Sequence, residues 1–94
     1  MFTNKTQVEA AVQLVAAVLA RRAEQRTTSD LVRALDAALF LAAVERAAGA
    51  ERDRWVDTAD QINTWLAVRC LCGDPAAVVF FNEGADRDST WAAA

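Results

Sequence analysis

The chain predicts an all-α fold: an antiparallel three-helix bundle with a short fourth helix over about 75–83 and a C-terminal tail. Three observations predict it. Stretches of similar length, Thr6–Arg26, Asp30–Ala48 and Ala50–Cys72, carry apolar residues at helical spacing. The breaks between them fall at Thr27–Ser29, Gly49 and Gly73-Asp74-Pro75, residue types that cap or stop helices. One run only, Val78-Val79-Phe80-Phe81, has the β-branched and aromatic character of a strand, and no second run is evident to pair with it. Residues 1–84 are therefore expected to form one helical domain and 85–94 a polar tail.

The first helix opens on Thr6-Gln7-Val8-Glu9, which fits a capping box. Val8, Ala11, Val12, Val15 and Leu19 follow at i, i+3, i+4, i+7 and i+11, a core stripe that Leu14 and Val18 widen. Arg21, Arg22 and Arg26 then occupy its last turns, where cations suit the helix dipole. Thr27, Thr28 and Ser29 are three consecutive N-cap candidates, and the short connection they leave implies an antiparallel neighbour.

In the second helix Leu31, Leu35, Ala38, Leu39 and Ala42 form the stripe, with Phe40, Leu41 and Val44 partly off it. Such wide apolar coverage marks it as the central, most buried helix, and Gly49 is placed to end it in a left-handed conformation. In the third, Trp55, Ala59, Ile62, Leu66 and Arg69 or Cys70 keep phase across Asp57, which predicts one helix from Ala50 to Cys72. Thr58-Ala59-Asp60-Gln61 is a second capping box that would instead start a shorter helix there. Gly73-Asp74-Pro75 is a firm stop, and Asp74-Pro75 also reads forwards as N-cap and first residue of a helix that Gly84 would close.

Ninety-four residues are near the lower limit for a single core without disulfides or metal. The core should be thin, with Trp55, Trp65, Phe40 and the leucines supplying most burial and alanines the rest. Part of the apolar surface is then expected to belong to a dimer or partner interface. The net charge is −3 with a pI near 4.8, which opposes binding to phosphate backbones. Residues 1–50 carry six basic and five acidic side chains and 51–94 four and eight, so a protein partner with a basic surface is the natural complement.

Two cysteines as C-x-C make no disulfide framework and fit a reducing compartment. Cys70 and Cys72 are expected to be buried thiols, with an intermolecular disulfide or a metal shared across a dimer as the alternative. The apolar run Ala10–Ala20 is amphipathic and is followed by Arg21-Arg22 instead of a cleavage site, so a soluble cytoplasmic protein is expected.

Little in the chain points to chemistry. It has no histidine, which removes the usual base, the usual metal ligand and the Glu-x-x-His pairs of di-iron bundles. No enzyme, metal or cofactor is expected. Two outward features remain. Asp53, Asp57 and Asp60 lie at i, i+4 and i+7, two residues out of phase with the core stripe, so they form an acidic face turned away from the core. Arg21, Arg22, Arg26 and Arg33 crowd the opposite-signed corner between the first two helices. Each is ordinarily a solvated surface, and each could dock a partner. Trp91 is an aromatic anchor on a charged tail, available to the bundle or to a partner.

These features suggest a non-enzymatic protein-binding module. One form is an inhibitor that occupies a surface on a larger nucleic-acid-handling complex, by class analogy with phage-encoded anti-CRISPR or anti-restriction proteins. The other is an adaptor or small subunit that assembles, as a homodimer for instance, through alanine-rich helical faces. Neither implies direct contact with nucleic acid or membrane.

Overall fold

The computed structural model describes residues 5–44 and 49–83. Over these the fold is all-α: α1 (Lys5–Ala20), α2 (Thr28–Ala43), α3 (Ala50–Leu71) and α4 (Pro75–Glu83), with a 3₁₀ turn at Ala23–Gln25 between α1 and α2. No strand is present among the described residues, and Val78–Phe81 is helical. Among the described residues no single helix is long and apolar enough to cross a membrane.

Both ends of α1 differ from expectation. The backbone is already helical at Lys5, so Thr6 lies inside α1 and not at its N-cap, and the Thr6–Glu9 box does not start the helix. At the other end α1 stops at Ala20, and Arg21, Arg22 and Arg26 lie in the connection instead of its last turns. Arg26 explains the stop. Its Nε donates to the Val18 carbonyl at 3.0 Å, which also accepts from the Arg21 N–H, and its Nη2 donates to the Leu19 carbonyl at 2.9 Å at the open end of the helix.

The start of α2 is a reciprocal capping box. Thr27, extended at φ −74°, ψ 159°, accepts from the Asp30 backbone N–H at 3.0 Å, and the Thr27 N–H donates to Asp30 Oδ2 at 3.2 Å. The helix therefore begins two residues before Asp30. It ends at Ala43 with Val44 as C-cap, so Gly49 does not terminate it. Gly49 is instead the residue that opens α3, at φ 62°, with its carbonyl accepting from the Asp53 N–H. Positive φ is the reason for glycine there.

Helix α3 runs unbroken through Asp57-Thr58. The Thr58 hydroxyl donates back to the Arg54 carbonyl at 2.9 Å, and Thr64 does the same to Asp60 at 3.0 Å. Both hydroxyls are thus absorbed by the turn before them and cap nothing. The helix closes in a Schellman motif: the Asp74 N–H reaches the Arg69 carbonyl and the Gly73 N–H that of Cys70, with Gly73 at φ 89°. Asp74 immediately starts α4, its Oδ1 accepting from Ala76 N–H at 2.9 Å and Ala77 N–H at 3.3 Å. Gly84, the expected stop of α4, lies outside the described residues.

Helix α2 is the centre of the packing, flanked by α1 and α3, while α4 rests mainly on α3 and more lightly on α2. The α1 and α3 backbones nowhere approach within 8 Å, Cα to Cα. One connected core results, with Leu31, Leu41, Ile62, Leu66, Val15 and Val18 its largest fully buried side chains. The α3 stripe is Trp55, Ala59, Ile62 and Leu66, as its spacing predicts. The α1 stripe is rotated: Ala11, Val15 and Val18 are buried, whereas Val12 is 36% exposed. On α2, Ala34, Ala37 and Leu41 are buried and Leu39 is 50% exposed. Side chains between two flanking helices go inside, and Leu39 lies beyond that arc.

Candidate functional site

The polar side chains of the α1–α2 connection and the α3–α4 turn meet at one pole. Arg69, near the end of α3, donates from Nη1 to Thr28 Oγ1 at 3.1 Å and from Nη2 to the carbonyls of Ala23 and Arg26. The Thr28 hydroxyl in turn donates to Asp74 Oδ2 at 2.6 Å. Thr28 is the one buried polar residue among the described ones, and both faces of its hydroxyl are used. Asp74 thereby caps α4 and ties it to the start of α2. The Thr28 hydroxyl, then the Ala77 and Ala76 N–H groups and the nearby Arg69 charge, hold the Asp74 carboxyl below its usual 3.8. The backbone N–H and hydroxyl of Thr27, with Arg21, do the same for Asp30.

This clamp disperses the expected arginine cluster. Arg21 forms an ion pair with Asp30 at 2.6 Å, and Arg26 is turned inward to cap α1, its guanidinium stacked 4.5 Å from the Trp65 ring centroid. Arg22 and Arg33 are exposed and form no ion pair among the described residues. The four do not make a common grip. Arg69, isolated in the sequence, is the arginine that joins the most elements; its partners lie more than 40 positions away, and no local signal marks it.

Asp53, Asp57 and Asp60 are all exposed on the outward side of α3, one face of an unbroken helix. Among the described residues no three acidic or thiol side chains gather closely enough to hold a metal ion. The thiols are free, and the expectation of two buried cysteines is corrected: Cys70 is half-buried and Cys72 exposed, because α3 ends beside Cys72 with no helix covering it. Trp91 lies outside the described residues.

Spacing did not single out the apolar surface. Leu71 is 88% exposed, with Val68, Val79 and Leu39 near half. Leu39 and Phe81 border an open cleft of about 320 Å³ between α2, α3 and α4, floored by Leu35, Ala59 and Phe80 and edged by Asp60 and Asn63. Phe80 and Phe81 meet edge to face, centroids 5.0 Å apart, forming an aromatic wall. A smaller cleft of about 230 Å³ beside Trp65 holds Arg26 and Arg69, whose guanidiniums are already engaged by backbone carbonyls.

Comparison of the chain with protein-family models, with curated proteins and with solved structures finds no match. The chemistry of this surface is the guide to what it does.

Proposed function

We propose that the chain is a non-enzymatic protein-binding module, a small acidic helical domain that acts by occupying a surface on a larger protein complex, with inhibition of a nucleic-acid-handling complex as its biological form. The observation that carries this reading is the apolar cleft beside the acidic face of α3, where Leu39 at 50% and Phe81 at 39% exposure stand next to Asp60. Apolar side chains grouped around a concavity and bordered by charge are what protein interfaces use. The scaffold is read as an antiparallel three-helix bundle with α4 appended. What supports that is Thr28, at the start of α2, accepting from Arg69 near the end of α3, which sets α2 and α3 antiparallel.

Self-assembly through alanine-rich faces has less support, since Ala11, Ala34, Ala37, Ala38 and Ala59 are already buried within one chain. Affinity capture from a host lysate tests the main reading. The wild-type protein is expected to retain a partner that a variant with Asp53, Asp57 and Asp60 all changed to Lys does not. Equal recovery by both removes the acidic face from the interface, and a stable homo-oligomer by light scattering favours the adaptor.

A further inference from the structure

We propose that the cleft between α2, α3 and α4 is a helix-docking groove. Its occupant is one basic amphipathic helix of a partner protein, which seats its apolar side chains against Leu39, Phe80 and Phe81 and sets lysines or arginines against Asp57 and Asp60. This inference rests on the protein-binding reading and names the partner's chemistry.

Size and shape come first. At about 320 Å³ the cleft is at the bottom of the ~300–1,000 Å³ range of small-molecule pockets, and it is open along its length, which suits a few side chains of a larger partner better than an enclosed ligand. Its border is built on helix: Leu39 sits in the body of α2 and not at a fraying end, and Phe81 meets Phe80 edge to face on α4. Two packed helices with a third across one end present a groove into which an amphipathic helix lays its apolar face.

Charge selects the occupant. Asp60 stands at the cleft edge, and Asp57 and Asp53 continue up the same side of α3. Of the cations nearest in sequence, Arg54 is stacked 4.8 Å over the Trp55 ring, and Arg52, two turns before Ala59 and level with Asp53, offsets Asp53, so the acidic edge that faces an occupant is Asp57 and Asp60. An occupant flanked by basic residues is therefore attracted along the acidic edge, and an acidic one is repelled. A second copy of this chain has no suitable helix to offer. Among the described residues α1 carries one cation, Lys5, α2 one, Arg33, and α4 none, while α3 mixes its arginines with four acids.

The test uses model peptides of about four helical turns, one with a leucine face flanked by lysines and one with the same face flanked by glutamates. Binding to the full chain is measured by isothermal titration and mapped by amide chemical shifts. The Leu/Lys peptide is expected to bind at least ~10-fold more tightly than the Leu/Glu peptide and to shift residues around Leu39, Asn63 and Phe81. Leu39→Asp should weaken it by ~10-fold or more, although the added carboxylate increases the attraction for lysine. Asp57→Lys with Asp60→Lys should reverse the order of the two peptides. Both sites are solvent-exposed, and an unchanged melting temperature verifies folding. Equal affinity of the two peptides, or indifference to Leu39→Asp, overturns the proposal. So does a dimer that Leu39→Asp converts to monomer, since a second copy would then be the occupant. A partner captured from lysate whose retention ignores Leu39→Asp would sink the groove alone and leave the binding-module reading standing.

Discussion

The Thr28 hydroxyl accepts from Arg69 and donates to Asp74, so a single oxygen links the starts of α2 and α4 to the end of α3. Replacing it with Thr28→Val keeps the shape and leaves a guanidinium N–H and a carboxylate oxygen short of a partner. A loss of about 1–3 kcal/mol in urea unfolding is expected. Asp74 of this network and Asp30 of the α2 capping box contribute to the acid response. Asp30 and Asp74 both have carboxyl groups held below 3.8 in the folded chain, so their stabilisation is complete above that value and is lost as pH falls through their lower folded pKa values. The melting temperature should be flat from neutral pH to about pH 5 and drop below about pH 4. Asp74→Asn, still a competent N-cap, should make that drop shallower; an unchanged acid profile would show that other carboxylates control it. The capping role of Asp74 was legible in the sequence, but its link through Thr28 to Arg69 was not. Arg69, Thr28 and Asp74 each have ordinary local neighbours, and their association exists only once α3 has returned to the start of α2.

At the scale of the element, the termini follow local capping chemistry wherever that chemistry is uncontested. Thr27-Thr28-Ser29-Asp30 starts α2, Gly73 stops α3, and Asp74-Pro75 starts α4, each by bonds within a few residues. Thr27→Ala should cost about 1 kcal/mol by removing one half of the capping box. Gly73→Ala should cost about 1–2 kcal/mol from backbone conformation alone, because φ is +89° and nothing lies within 4 Å of the added methyl. A denaturation midpoint equal to wild type in the Gly73→Ala variant would show that the turn relaxes to negative φ. The end of α1 followed a different rule. Its periodicity continues towards Arg26, but Arg26 reaches back to the Val18 and Leu19 carbonyls and stacks on Trp65. A contact with α3 thus competes with helix extension, and a window of local sequence contains no trace of it.

For the whole molecule, the position of α2 between α1 and α3 decides which apolar residues are core. Leu66, fully buried on α3, should cost about 2–5 kcal/mol when changed to Ala, whereas Leu39→Asp on the cleft should leave stability nearly unchanged. Comparable losses from the two would place Leu39 inside the core and remove the groove. The contrast separates what spacing can tell from what it cannot. Leu39 and Leu66 have the same chemistry, and both lie on a predicted stripe. Only Leu66 is fully covered by its neighbours.

The sequence by itself determined the all-α class, the firm break at Gly73-Asp74-Pro75 and the outward acidic face, because each depends on helical period or on bonds spanning a few residues; it left α3 open between one helix and a second start at Thr58, which the structure decides for one helix. Tertiary structure alone decided the early end of α1, the dispersal of the arginine corner, the Arg69–Thr28–Asp74 clamp and the apolar cleft beside Asp60. Those depend on which surfaces of three helices meet. A helical pattern states which face of each helix is apolar, and the relative placement of the helices determines how much of that face is covered.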